Sequence, residues 1–518
     1  MQNRDTQAGW RYHDGTKHPY GPLMNPWHRF DPATQPLLFK KYLHLESVPL
    51  ELEPEPSGVS ALDAIAGPAA GASTGVVDGR ALARLLYFSA GITKTIRYPW
   101  GEIPFRAAAC TGALYHIELY VVCGDLPGLE AGVYHFDPET NSLDVLRKGD
   151  YRQVLVRACA DEEAVAKAPA VIAYSDVFWR NSCKYQAREY RHAFWDSGTI
   201  LSHTLALASA LRLPARLVLG FVDREVDRLL ALDGRNEASL ALLAVGSGGG
   251  RAGEISPGVE ELSPETLPIS RYEIDLPAIR EMHQASSLSD AEEVAGWRAG
   301  GFTAVPDAPP TDAAPLERLA EEERPSSPLE KVIQRRGSSR RFVREPISLA
   351  QLSTILTHST GGFSADYSPG GDAWFNQPYL IIQAVDGIPN GAYAFHREPP
   401  ALELLKTGEF RAHAGQLGLG QALPADAAIN IYFLADLTQV FGVFGNRGYR
   451  LAQLEASIAA GKIYLAAYAL GLGATGLTFY DDEVVDFFSP HAKGKSVMFL
   501  IALGRSARRA RTDSSTKF

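Results

Sequence analysis

Three groups of residues in this chain have types and spacings that could do chemistry. Residues 335–342 read Arg-Arg-Gly-Ser-Ser-Arg-Arg-Phe, which sets Arg336, Ser338 and Arg340 at alternate positions. Guanidinium forks with a hydroxyl between them suit a phosphate dianion, which takes bidentate, charge-assisted hydrogen bonds. A second basic cluster, Arg505, Arg508, Arg509 and Arg511, follows the last apolar run. Taken alone, an arginine-rich run is more often a solvated face. The second group is Arg106 with Cys110, Thr111 and Gly112, a cation ahead of a small turn that carries one hydroxyl. The third is Lys184 and Tyr185, a pair able to give or take a proton, although such a dipeptide is out of context more often a surface lysine beside a packing ring. His13, His18 and His28 invite a metal reading. No two of them stand four apart on a convincing helix, so capping, stacking or lid roles are favoured and no metal is expected.

The elements that must position these groups come in two copies. Gly132-Val-Tyr-His-Phe, residues 143–146 and Lys148-Gly-Asp-Tyr-Arg152 align with Gly391-Ala-Tyr-Ala-Phe, residues 402–405 and Thr407-Gly-Glu-Phe-Arg411, at a constant offset of 259 residues. The same offset brings Arg188-Glu-Tyr-Arg191 onto Arg447-Gly-Tyr-Arg450, and one residue less brings Phe221-Val-Asp223 onto Phe479-Tyr-Asp481. A register held over so many turn and core positions marks a tandem duplication. Short β-branched and aromatic runs at 117–123 and 379–385 read as buried strands, and 193–211 and 452–470, apolar nearly all round, read as buried helices. Without a regular βαβ cadence, each copy is expected to be an α+β sheet flanked by helices, the two packing as a pseudo-twofold pair. The domain reading is an N-terminal arm or lid over 1–50, copy one over 51–250, a linker over 251–325 and copy two over 326–518. The linker is rich in Gly, Pro and acid, with a short helix at 289–297 capped by Ser289.

The copies have lost different groups. Where copy two has its arginine motif, copy one has Ala66-Gly-Pro-Ala-Ala-Gly-Ala-Ser73, without a cation. Where copy one has Arg106 and its turn, copy two has Ala365-Asp-Tyr-Ser-Pro-Gly-Gly-Asp-Ala-Trp374, and Val443-Phe444 answers Lys184-Tyr185. The 518 residues carry a net charge of −10 and are 46% hydrophobic, a globular composition long enough for two to four domains. The mild acidity gives no general attraction to nucleic acid or an anionic membrane. Four cysteines without a CxxC pair argue against a disulfide scaffold or structural zinc. The N-terminus shows no apolar signal segment and the longest apolar runs, such as 427–435 and 496–504, are strand-sized, so a cytoplasmic protein is expected. No GxGxxG follows a strand, so no Rossmann module for NAD is expected.

The arginine motif is similar to the opening motif of the nitroreductase superfamily, whose domains bind FMN between the two halves of a dimer. Tyr12-His-Asp-Gly-Thr-Lys-His18, Pro36, Phe39-Lys40, Tyr42, Arg106 with Thr111-Gly-Ala-Leu-Tyr115, Gly132-Val-Tyr-His-Phe, Lys184-Tyr185, Arg188 and Tyr190-Arg191 together resemble the SagB-type dehydrogenases. That group contains the oxidases of thiazoline and oxazoline rings in modified peptides. The resemblance implies two tandem FMN-dependent nitroreductase-like domains packed as an intramolecular pseudodimer. It places the flavin phosphate on Arg336, Ser338, Arg340 and Arg505, and the ring against Arg106, Cys110, Thr111 and Gly112. Gly473, Ala474, Thr475 and Gly476 resemble the loop beside the flavin N5 edge, and Cys110 and Ala109 stand where the family usually has Ser and Pro. Lys184, buried beside Arg188, would be the base and Tyr185 its orienter or a secondary acid. With complementary losses in the two copies, one FMN per chain is expected. The substrate would be a small molecule or a modified peptide, with either O2 or NAD(P)H completing the redox cycle. A non-catalytic flavoprotein partner subunit is the rival from another class, and a further homodimer stays open.

Overall fold

The computed structural model describes residues 2–19, 34–53, 55–67, 75–99, 101–248, 258–300, 308–368 and 374–507. Two antiparallel sheets form the body. The first runs in the order Ser47–Pro49, Ser142–Lys148, Gly132–Asp137, Ile117–Cys123, Ala170–Val177, Glu237–Val245, Ala215–Val218. The second runs Ala314–Pro315, Pro400–Thr407, Gly391–Arg397, Asn376–Ile382, Ile429–Ala435, Ser496–Ser506, Phe342–Val343, with Gly473–Leu477 also paired to Ser496–Ser506. Their registers match at the duplication offset: Ile117 faces Asp176 in one sheet, and Asn376 faces Ala435 in the other. No helix among the described residues is long and apolar enough to cross a membrane.

Each sheet packs on one long buried helix, Glu189–Ala210 in copy one and Arg447–Ala469 in copy two. These two helices lie side by side and parallel, which is why both are apolar on nearly every face. Trp195 Nε1 donates to Gln453 Oε1 at 2.6 Å and Ser457 Oγ donates to the Phe194 carbonyl at 2.8 Å. One turn on, a Cβ on Gly198 would stand 1.7 Å from Ser457 Oγ; a turn later, a Cβ on Gly461 would stand 2.1 Å from Ser202 Oγ. Gly198 and Ser457 are counterparts at the 259 offset, as are Ser202 and Gly461. These two pairs therefore lie where a residue meets its own image, as on the axis of an isologous interface, and in each pair one partner is glycine.

The reciprocity extends to buried charge. Arg188 and Arg191 of copy one bind Asp481 of copy two at 3.0 and 2.6 Å, while Arg447 and Arg450 of copy two bind Asp223 of copy one at 2.6 and 2.7 Å. Each nest is closed by a short helix from outside the sheets. Gln7–Gly15 supplies the His13 carbonyl and the Thr16 hydroxyl to Arg191, and the His18 amide to Asp481. Pro277–Ala285 leads to the mirror set: the His283 carbonyl and Ser286 hydroxyl on Arg450, and the Leu288 amide on Asp223. Tyr449 meets His13 at 3.3 Å and Tyr190 meets His283 at 3.2 Å. The stretch whose composition reads as linker thus holds an element that repeats the opening of the chain, at an offset of 270 rather than 259 residues. The hairpin Ile92–Tyr98 and Gly101–Arg106, which among the described residues occurs in copy one alone, takes up the difference. The helix expected at 289–297 runs Ala291–Ala299, and its cap is Asp290, whose side chain accepts from the Glu293 amide. Ser289 bonds the Glu293 carboxylate instead.

The helix pairing makes a test of additivity. Gly198→Ser should destabilise the protein by about 1–3 kcal/mol in chemical denaturation, the usual cost of overpacking. Gly198→Ser with Ser457→Gly, which exchanges the two roles, should recover most of that loss; losses that simply add would contradict the packing described.

Candidate functional site

The arginine motif begins at the end of the helix Leu329–Arg335 and leads into the short strand Phe342–Val343. Arg336 crosses to copy one, where its Nε donates to the Ala107 carbonyl at 2.8 Å. Its guanidinium lies over the Tyr464 ring at 5.6 Å, and Nη1 is buried with no hydrogen-bond partner among the described residues. Ser338 Oγ is 3.4 Å from Tyr464 Oη, and the Gly476 amide donates to that same hydroxyl. Arg340 is exposed. Arg505 does not join the cradle: its Nε donates to the Pro346 carbonyl at 3.1 Å and faces Glu345. Neighbours on a strand point to opposite faces, and here it is Ser506 that faces the motif, with Oγ 2.6 Å from Ser339 Oγ. Arg508, Arg509 and Arg511 lie outside the described residues. Gly473, Ala474, Thr475 and Gly476 belong to the strand Gly473–Leu477 rather than a loop. Gly473 has no room for a side chain, since a Cβ would stand 1.9 Å from Ser506 Oγ and 2.2 Å from Ser339 Oγ.

On the side of copy one, Arg106 ends the hairpin strand. Its guanidinium grips the Ala90 carbonyl and the Ile117 carbonyl, the latter at 3.0 Å, and leaves Nη2 buried without a partner among the described residues. The turn Thr111–Ala113 that follows is tied to the long helix by Asp196. The Thr111 amide and hydroxyl donate to its carboxylate at 2.8 and 2.9 Å, Cys110 Sγ donates at 3.0 Å, and His116 Nε2 at 2.8 Å. The polar atoms of Cys110 and Thr111 therefore point back into the protein, and the turn has backbone and Gly112 to offer on its open side. Gly112 sits at φ +66°, and a Cβ there would stand 2.8 Å from Tyr185 Oη. Asp196 and His116 were not singled out by sequence; their signal is the contrast with copy two, where Phe375 replaces His116.

Tyr185 ends the helix Phe178–Tyr185 and packs edge-on against His192 at 4.8 Å. Burial, with Asp196 and Cys110 nearby, pushes its hydroxyl up to about 12, so it stands as a proton donor at neutral pH. Lys184 is exposed rather than buried, its Nζ 5.1 Å from the Tyr185 ring centroid. The inward face of that helix is already filled by Phe178, Trp179, Asn181 and Ser182. Arg188 is not its neighbour in charge, being spent on Asp481 and the Thr16 carbonyl. Phe178, Trp179 and Ser182 also line a cavity of about 260 Å³ against residues 273–280.

The mirror-image position is filled by the chain itself. Asp366 and Tyr367 stand where copy one has Ala107 and Ala108. The Asp366 carboxylate accepts the Leu219 and Gly220 amides at 2.9 and 2.8 Å. Phe444, the counterpart of Tyr185, packs on Phe375 at 5.7 Å and on Trp297 at 5.4 Å, and Trp297 Nε1 donates to its carbonyl. At the first position the counterpart of Gly220 is Thr478, whose Oγ1 is buried without a partner among the described residues. Residues 68–73 of the alanine-rich segment and 369–373 of the copy-two turn lie outside the described residues.

One position is thus plugged by large side chains, while at the other the counterparts are small and polar atoms are left unpaired among the described residues. Residues 333–505 match the nitroreductase family. This stretch is a nitroreductase-family domain. A crystal structure from Anabaena variabilis named as a nitroreductase is similar over 96% of this chain and 99% of its own, with TM-score 0.75 and 25% identity. The tandem fold is therefore two nitroreductase-like α+β domains packed as an intramolecular pseudodimer, and the chain is an oxidoreductase. A Methanocaldococcus jannaschii protein named as a nitroreductase is 28% identical over 167 residues, 32% of this chain and 79% of that one. The trifolitoxin-processing protein TfxB of Rhizobium leguminosarum bv. trifolii is 29% identical over 170 residues, 31% of this chain; the match spans 45% of TfxB, less than half its length.

The ties on the turn predict its reactivity. Burial and Asp196 hold the Cys110 thiol well above its ordinary range, and burial lifts Cys183 to about 11 and Cys123 to about 12. Since only the thiolate reacts, all four cysteines should resist iodoacetamide in the native protein at pH 8. Asp196→Asn should release Cys110 to alkylation, read by mass spectrometry; alkylation of Cys110 in the unaltered protein would contradict the arrangement.

Proposed function

We infer that the protein is an FMN-dependent dehydrogenase of SagB type with one composite site per chain. The observation that carries this reading is Arg336: it is anchored on the copy-one turn through Ala107, and its second nitrogen is buried without an acceptor. A buried cationic donor left unpaired costs free energy unless an anion completes it, and a phosphate fits. Thr478 Oγ1 and Arg106 Nη2, also unpaired among the described residues, add further donors, and the side chains of Ala107, Ala108 and Ala109 beside them are small. Arg336, Ser338 and Arg340 would hold the phosphate; the open side of the turn around Gly112 and the Gly473–Leu477 strand would border the ring. When bound, FMN supplies a two-electron acceptor that exchanges hydride through N5.

The residues of this chain supply the proton chemistry. Tyr185 Oη stands over Gly112 and can relay the proton that oxidation releases, taking it from the substrate as it gives up its own. Lys184 Nζ, exposed beside the Tyr185 ring, would receive that proton and hand it to bulk water. The likeness to a trifolitoxin-processing protein favours a modified peptide as the substrate, with oxidation of a thiazoline or oxazoline ring and reoxidation by O2. Feeding by NAD(P)H is the alternative, and anaerobic addition of NADPH distinguishes it by bleaching the flavin.

The purified protein should show a flavin visible spectrum. Arg336→Gln should lose the bound flavin, whereas Lys184→Ala and Tyr185→Phe should keep it and lose turnover by about 10²-fold or more, the usual scale of acid–base assistance. Loss of flavin from the Lys184 or Tyr185 variants, or its retention by Arg336→Gln, would overturn these assignments.

A further inference from the structure

Beneath the copy-one turn lies a row of ionisable groups that the reading above does not use. Asp196, which ties the turn, meets His116 Nε2 at 2.8 Å; His116 Nδ1 meets Asp176 Oδ1 at 2.7 Å and lies 3.5 Å from Glu189 Oε1. His116, Asp176 and Glu189 are fully buried, and Asp196 nearly so. A carboxylate only accepts hydrogen bonds, so an imidazole held between two of them carries both protons and is a cation. Burial works against that charge, but Asp176, Asp196 and Glu189 together hold His116 well above its ordinary range. Burial, together with Asp176 beside it, pushes the Glu189 carboxyl up, so it keeps its proton. The row thus holds one cation between two anions, with a neutral acid at its end.

Copy two shows what the row is not needed for. Glu455 stands in place of Asp196 and holds the counterparts of His116 and Ile117, accepting the Phe375 amide at 2.8 Å and the Asn376 amide and side chain at 3.0 and 2.8 Å. The positions of His116, Asp176 and Glu189 are there occupied by Phe375, Ala435 and Gly448. The same sheet register and the same helix contact are kept without any of the three groups. A buried ion cluster is costly to assemble, and here the fold evidently does not require it. It stands only under the turn of the open pocket.

We propose that His116, Asp176 and Glu189 are positioning residues that act through Asp196 to set the charge under the turn, and thereby the reduction potential of the flavin it covers. The proposal rests on the flavin reading of the preceding subsection. Reduction adds negative charge to the ring, so a cation below the turn favours the reduced form and an anion opposes it. His116→Asn should therefore lower the midpoint potential of the bound flavin and Asp176→Asn should raise it. Each shift should correspond to about a tenfold change in the reduction equilibrium, or about 30 mV for a two-electron couple.

The measurement is an anaerobic dye-coupled titration of the flavin-loaded protein, with flavin content recorded for each variant. His116→Phe with Asp176→Ala and Glu189→Gly, the composition with which copy two folds, removes one cation and one anion and should give a potential between those of the two single variants. Opposite shifts at unchanged flavin content support the proposal. Shifts of the same sign, or none, with flavin retained would overturn it while leaving the flavin site standing. Flavin loss in both single variants would overturn it as well, since the row would then serve binding. A parent protein that binds no flavin would instead sink the reading on which it rests.

Discussion

Everything in this molecule depends on two long helices lying parallel and close, with Gly198 facing its image Ser457 and Ser202 facing its image Gly461. At so short a distance two identical side chains larger than glycine would compete for the same volume. A single chain with two copies can solve the conflict where a homodimer cannot: Gly198 yields to Ser457, and Gly461 yields to Ser202. Close approach of the backbones then brings Arg188 and Arg191 onto Asp481, and Arg447 and Arg450 onto Asp223, in two buried nests where loss of a partner would leave an unpaired interior charge. The separation of the copies is fixed at these points, and so is the width of each pocket that opens between them.

With the frame symmetric to that degree, the asymmetry of the pockets comes from side chains alone. At one position Ala107 and Ala108 are small, Thr478 and Arg336 leave donors unpaired among the described residues, and Tyr185 stands beside Gly112. At the other, Asp366 satisfies the backbone amides that a ligand would meet, and Tyr367, Phe375, Phe444 and Trp297 take up the volume. Duplication frees one site to decay into packing, and packing in the decayed site stabilises the interface that the working site needs.

Much of this was legible in the residues. The 259-residue offset is the contact register of the helices, because the core and turn positions that preserve it are the ones the pseudo-twofold constrains. The arginine motif and the copy-one turn do meet, as Arg336 and Ala107 show. The opening helices escaped notice because what they contribute is largely backbone, the His13 and His283 carbonyls and the His18 and Leu288 amides, which any residue supplies. Arg505 turns to Pro346 and Glu345 because strand alternation points its neighbour Ser506 at Ser339, and composition is blind to which of two neighbours faces the motif. Lys184 was expected in the interior, but the helix that bears it had already filled its inner face. Asp196 and His116 are isolated polar letters in apolar runs, and their meaning appears only when the two copies are laid side by side.

The division of labour between the copies is tested most directly by counting. The account predicts one FMN released per polypeptide when the saturated protein is denatured and flavin and chain are quantified together. A ratio near two would show that the pocket filled by Asp366 and Phe444 binds after all, and a ratio near zero would show that the two surfaces do not form a flavin site.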